Sequence, residues 1–139
     1  MRTEEMARDY LTRAAMTLEE ARTAVAKGIY SLAVRRAQET VELSLKAALR
    51  FLAIEYPKEH DVSTALRSVR ELRPLPPWFA ENLELMARVS SELSWKRGAA
   101  FYGDEKSATP ASQLFTREDG TQALRDAEVV FKLCTRLIR

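Results

Sequence analysis

The polar and apolar positions alternate most regularly over Ala33–Leu52, AVRRAQETVELSLKAALRFL. On a helical wheel Val34, Ala37, Val41, Leu45, Ala48 and Leu52 fall on one stripe, with Ala33, Thr40, Ser44, Ala47 and Phe51 beside it. The small and apolar arc is wider than half the helix, and Arg35, Glu39, Glu42, Lys46 and Arg50 form a narrow polar arc opposite. A surface helix needs an apolar stripe of only about 100°. A wider arc predicts a central helix packed against neighbours on two sides.

The same periodicity, read along the rest of the chain, predicts four more helices. The first covers 4–27, with Met6, Tyr10, Ala14, Leu18, Ala21 and Val25 inward and Gly28 as its stop. Ser31 is the expected cap of the central helix, which should run to about Glu55, ahead of Pro57. After a loop over Tyr56–Asp61, Asp61 or Ser63 should cap a short third helix ending near Leu72. Pro77 suits the first turn of a fourth helix, which carries Phe79, Leu83, Met86, Ser90 and Leu93 on one stripe to about Ala100. Gly103–Phe115 reads as the longest loop. Thr116-x-x-Asp119 is a capping-box variant opening a fifth helix with Ala123, Leu124, Ala127, Val130, Phe131, Cys134 and Ile138 inward. No segment reads as a strand. The expected architecture is all-α, an up-and-down bundle of about five helices forming a single domain over 1–139.

Composition narrows the chemistry. The chain has 139 residues, of which 46 % are hydrophobic and 30 % charged, as expected of a folded domain. No apolar run approaches the ~20 residues of a membrane span, and the charged N-terminus lacks the apolar segment of a signal peptide. A cytoplasmic location is therefore expected. Cys134 is the only cysteine and His60 the only histidine, so neither a disulfide nor a usual zinc site is expected. Phosphate-binding glycine loops are absent, and no cofactor or metal is implied. The net charge is +2, but Arg outnumbers Lys 16 to 6, and Arg suits bidentate pairing with carboxylate or phosphate. Arg67, Arg70 and Arg73 make a small basic cluster on the third helix. Arginines spread through a nearly neutral chain are weaker evidence for nucleic acid than a concentrated basic face.

Ala37-Gln38-Glu39-Thr40-Val41-Glu42-Leu43-Ser44-Leu45-Lys46-Ala47 resembles the A-Q-x-A-x-E-x-x-L-K-A run of HEPN domains (higher eukaryotes and prokaryotes nucleotide-binding). Glu59-His60-Asp61-Val62 resembles the segment opening that family's third helix. Phe115–Asp119 with Ala127-Glu128 resembles its closing helix. The resemblance covers roughly 5–138. It implies a helical bundle, usually homodimeric, that binds nucleotide or RNA. It also implies that many relatives are metal-independent endoribonucleases, often toxins neutralised by a small nucleotidyltransferase partner.

Active members carry Arg-x(4–6)-His near the end of the fourth helix, at the dimer cleft. Here Arg97 is followed after four residues by Tyr102, and Gly103 and Asp104 come next, so the histidine is missing. In a second register Phe101-Tyr102-Gly103-Asp104 resembles the Arg-Tyr-Pro-Asp segment of small stand-alone archaeal and bacterial members, with Phe101 in place of the arginine. The catalytic candidates carried over are Arg97 and Tyr102. The binding candidates are Arg97, Tyr102, Trp95 and Lys96, with Glu42 and Lys46 lining the cleft.

Each has a plainer reading. Arg97 falls beside Met86, Ser90 and Leu93 on the wheel, so its guanidinium must find a partner or face a cleft; satisfying carbonyls or a Glu near a helix end would suffice. Tyr102 suits a hydrogen bond or stacking on a base, but a neutral phenol is a poor general base, and a Tyr closing the bundle end is as consistent. Trp95 lies opposite the core stripe, as a dimer or ligand surface would, or as an isolated exposed residue. Glu42 and Lys46 form an expected i,i+4 pair. His60 suits capping or packing, and Cys134 suits burial as a small hydrophobe.

Overall fold

The computed structural model describes residues 2–139. Among them the order is α1 (Arg2–Ala26), α2 (Tyr30–Phe51), α3 (Ser63–Leu72), α4 (Pro77–Ala80), α5 (Leu83–Tyr102), a 3₁₀ turn (Ala111–Gln113) and α6 (Arg117–Ile138). The fold is all-α, with an isolated Asp104–Thr109 bridge as the extended pairing among these residues.

The helix α2 is central, packing against α1, α6 and α5. Val34, Ala37, Val41, Leu45 and Ala48 of its wide arc join Leu18, Leu66, Phe79, Met86, Val89, Ala127, Val130 and Cys134 in one buried core. Burial pushes the Cys134 thiol well above its ordinary range, consistent with a role as a small hydrophobe. Thr116 and Asp119 form the expected capping box, with Thr116 Oγ1 accepting from the Asp119 amide at 3.2 Å and Asp119 Oδ2 from the Thr116 amide at 2.8 Å.

Several boundaries differ from expectation, each for a local reason. Ser31 does not cap α2; its N-cap is Ile29, without a side-chain bond. Gly28 has φ +75° and ends α1 in a Schellman pair, Gly28 N–H to Val25 C=O at 3.1 Å and Ile29 N–H to Ala24 C=O at 2.9 Å. The reach of α2 is shorter than the expected Glu55. Ala53, at φ +57°, closes the same double bond, its N–H to Arg50 C=O at 3.0 Å and the Ile54 N–H to Leu49 C=O at 2.9 Å. An alanine in the place that favours glycine leaves no stop signal in the sequence.

Val62 is the N-cap of α3, without a side-chain cap of its own. Asp61 instead accepts from the Ser63 amide at 2.9 Å, and Ser90 Oγ of α5 accepts from the Val62 amide at 3.1 Å. The expected fourth helix is two. Asn82 Nδ2 donates to the Trp78 carbonyl at 2.7 Å, a local bond that competes with helix continuation, and α5 restarts at Leu83. That helix runs on to Tyr102, where Gly103 at φ +75° ends it. A Cβ there would collide with the Thr109 carbonyl oxygen.

Candidate functional site

The polar arc of α2 turns toward α1, the α2–α3 connection and α5. On its border with the apolar arc is Gln38, only 2 % exposed. Its side-chain oxygen accepts from Nη1 of Arg97, and its amide nitrogen donates to Glu42 Oε1 at 2.9 Å. Glu42 also accepts from Lys46 Nζ at 2.9 Å and meets His60 Nδ1 at 2.8 Å. Burial raises the Glu42 pKa, but the donors from Gln38, Lys46 and His60 together outweigh it, so the carboxyl is held below its ordinary range.

A cleft of about 370 Å³ opens above this network, lined by Arg13, Met16, Thr17, Glu39, Glu42, Leu43, His60 and Arg97. Arg97 thus lies at the cleft, held by a neutral amide. Among the described residues, neither Arg97 nor Arg50 pairs with a carboxylate, whereas Arg13 pairs with Asp9 at 3.1 Å and Arg36 with Glu39 at 2.8 Å. A guanidinium positioned by a neutral partner keeps its full charge and free N–H groups for an anion.

The remaining candidates are distributed around this cleft. Lys46 reaches it only through Glu42. Trp95 is 86 % exposed on α5, and Lys96 beside it is half-buried. Tyr102 is exposed at the end of α5 and outside the cleft lining, edge-on to Phe101 with ring centroids 4.6 Å apart. The guanidinium of Arg35 lies 4.7 Å from the Phe101 ring centroid and donates to the Arg97 carbonyl at 3.5 Å, tying the end of α5 to α2. The basic cluster on α3 is engaged elsewhere. Arg67 pairs with Glu84 at 3.1 Å, Arg70 donates to the Ala80 carbonyl at 2.6 Å, and Arg73 donates to the Leu52 and Ala53 carbonyls at 2.9 and 3.1 Å. Among the described residues, no group of three or more His, Cys, Asp and Glu side chains is placed to hold a metal.

Sequence reasoning missed Gln38 as the residue that positions Arg97, and Arg13 as part of the cleft. The one available signal was a long amide inside an otherwise small and apolar arc, because a buried polar group needs partners.

The fold is a helical bundle packed around one central helix. The chain belongs to the HEPN domain family, whose model matches residues 7–137. It is similar in structure to ST0689, described as an archaeal HEPN homologue, with 23 % identity and a TM-score of 0.69 over 96 % of this chain and 98 % of that one. It is also similar to TT1696 from Thermus thermophilus, with 25 % identity and a TM-score of 0.70 over 94 % and 96 %. No curated protein matches the sequence.

Proposed function

We propose that this HEPN protein binds the phosphates of RNA or of a nucleotide in the Arg97 cleft. A second copy would complete the cleft, and the pair would act in the cytoplasm within a toxin–antitoxin-like module with a small nucleotidyltransferase. The observation that carries the binding is Arg97 itself, held at the cleft by the buried, neutral Gln38 and paired with no carboxylate among the described residues. In this reading Arg97 holds phosphate, Lys96 adds charge, and Tyr102 meets a ribose or base from across the dimer.

The test is polarisation binding of a fluorescent single-stranded RNA. A charged hydrogen bond contributes about 1.5–3 kcal/mol, so Arg97→Ala should weaken binding about tenfold or more. Gln38→Glu leaves Arg97 in place but gives it a carboxylate, and should weaken binding in the same direction. Absence of RNA and nucleotide binding in the wild type, or unchanged affinity in both variants, would overturn the proposal.

A second reading is a non-catalytic module for dimerisation and partner binding. Trp95, with Phe101 and Tyr102 exposed on the same helix, favours it. Under this reading Trp95→Ala disrupts the dimer or co-purification of the partner while RNA has no effect. A third reading is metal-independent cleavage with Tyr102, or His60, which meets Glu42 in the Arg97 cleft, in place of the missing histidine. Nuclease activity in EDTA that survives both His60→Ala and Tyr102→Phe excludes these residues as its catalysts.

A further inference from the structure

At the far end of α2's polar row lies a second basic and aromatic cluster. Arg50 Nε donates to the Tyr56 hydroxyl at 3.0 Å. Its guanidinium carbon stands 5.6 Å from the ring centroids of both Tyr10 and Tyr56. Like Arg97, Arg50 has no carboxylate partner among the described residues. A cavity of about 440 Å³ opens beside it, lined by Arg50, Tyr56, Lys58 and Glu55 together with Thr3, Ala53 and Ile54. Lys58 is exposed and forms no ion pair among the described residues.

Two continuous rows of contacts join this cluster to the Arg97 cleft. Along α2, Arg97 leads through Gln38 to Glu42, then Lys46, whose Nζ lies 5.5 Å from the Tyr56 ring centroid, and so to Arg50. Along α1, Arg13 lines the Arg97 cleft and stands over Tyr10 at 4.8 Å, and Tyr10 also faces Arg50. The neighbouring Tyr56 hydroxyl, and then Arg50, hold the Tyr10 phenol below its usual range, which accords with this continuity. From Gln38 to Arg50 is twelve residues, about 18 Å at ~1.5 Å per residue.

We propose that Arg50, Tyr10, Tyr56 and Lys58 form a second subsite for single-stranded RNA. One strand would lie along the α1–α2 face with one phosphate at Arg97 and another at Arg50, and a base against the tyrosine rings. The inference rests on phosphate binding at Arg97 and adds the substrate class, an extended strand rather than a mononucleotide. Stacked nucleotides advance ~3.4 Å each, so a mononucleotide cannot occupy both ends, whereas an octanucleotide can. Aromatic rings with unpaired cations alongside are the general means of holding a single strand without reading its sequence.

Binding of AMP and of octa-adenylate is compared by titration over a salt series, in wild type, Arg50→Ala, Lys58→Ala and Arg97→Ala. The octanucleotide should bind more tightly than AMP. Arg50→Ala should weaken the octanucleotide about tenfold, as loss of a charged contact or a stacked base does, and reduce the salt slope by about 0.7 for one lost phosphate contact. Its AMP affinity should stay at the wild-type value, whereas Arg97→Ala should weaken both ligands. An Arg50→Ala protein that retains its helical circular dichroism yet binds octa-adenylate with wild-type affinity and slope overturns the second subsite and leaves Arg97 binding standing. If Arg50→Ala loses its fold, the exposed Lys58→Ala decides: a lowered octanucleotide slope supports the subsite, and an unchanged one overturns it. Loss of AMP and RNA binding in the wild type removes both proposals together.

Discussion

Arg67, Arg70 and Arg73, on α3 and at its C-cap, and Arg97 and Arg50, on α5 and α2, carry the same charge in opposite circumstances. Arg67, Arg70 and Arg73 each meet an acceptor of the fold, a carboxylate in the first case and backbone carbonyls in the others. Arg97 and Arg50 meet only a neutral amide and phenols. Carbonyls at a helix C-terminus carry partial negative charge, so a guanidinium docked there completes the helix and has less to offer a ligand. A guanidinium held by an amide or a tyrosine is positioned without being neutralised. Basic residues become evidence for an anion site only once their partners are known.

The largest expected effect separates the two groups by stability. Arg73 donates three hydrogen bonds, two to carbonyls at the end of α2 and one to its neighbour Leu72. Its exposure reduces their worth, and Arg73→Ala should lower unfolding free energy by about 2 kcal/mol in urea titration. RNA affinity of the folded variant should stay within about twofold of wild type, a difference of ~0.4 kcal/mol. A variant of unchanged stability and weakened RNA binding would move Arg73 from the structural group to the ligand group.

A smaller effect, of about 1.5 kcal/mol near neutral pH, is expected for Glu42→Gln, which loses charged hydrogen bonds within the Arg97 network. Glu42 is held below its ordinary carboxylate range in the fold despite the opposing effect of burial. A depressed folded pKa contributes stability fully present above the unfolded value of about 4.3 and lost as pH falls through the folded value. The stability gap between wild type and Glu42→Gln should therefore shrink as pH falls below that point. A gap independent of pH would show that the charge on Glu42 is not what stabilises the network.

The comparison also explains what could be read in advance. Burial follows periodicity, so the apolar arc of α2, the core of α6 and the Thr116–Asp119 box were legible from spacing alone. Arg97 was legible as an arginine on an inward stripe. Its partner was not, because Gln38 lies 59 residues away and the pairing depends on how α2 and α5 pack. Shorter separations hide the engagement of Arg67, Arg70 and Arg73, whose acceptors, Leu72 beside Arg73 apart, lie ten to 21 residues away. The split between α4 and α5 turns on one Asn82 side chain bonding to Trp78, a choice that a good helical pattern on both sides conceals.

The end of α2 gives the smallest expected effect and ties both regions together, since Arg73 docks on its carbonyls and Arg50 projects from its last turn. Ala53 holds φ +57° there, a conformation that costs an L-residue with a Cβ roughly 1–2 kcal/mol. Glycine removes that cost but loses more freedom on folding, about 0.5–1 kcal/mol. The balance predicts that Ala53→Gly stabilises the protein by about 0.5–1 kcal/mol, measured as a raised urea midpoint with unchanged m-value. The Schellman pair from Ala53 and Ile54 should persist, and with it the position of Arg50. Destabilisation by the glycine would mean that α2 continues past Phe51 in solution, which would turn Arg73 away from its carbonyls and free its charge for a ligand.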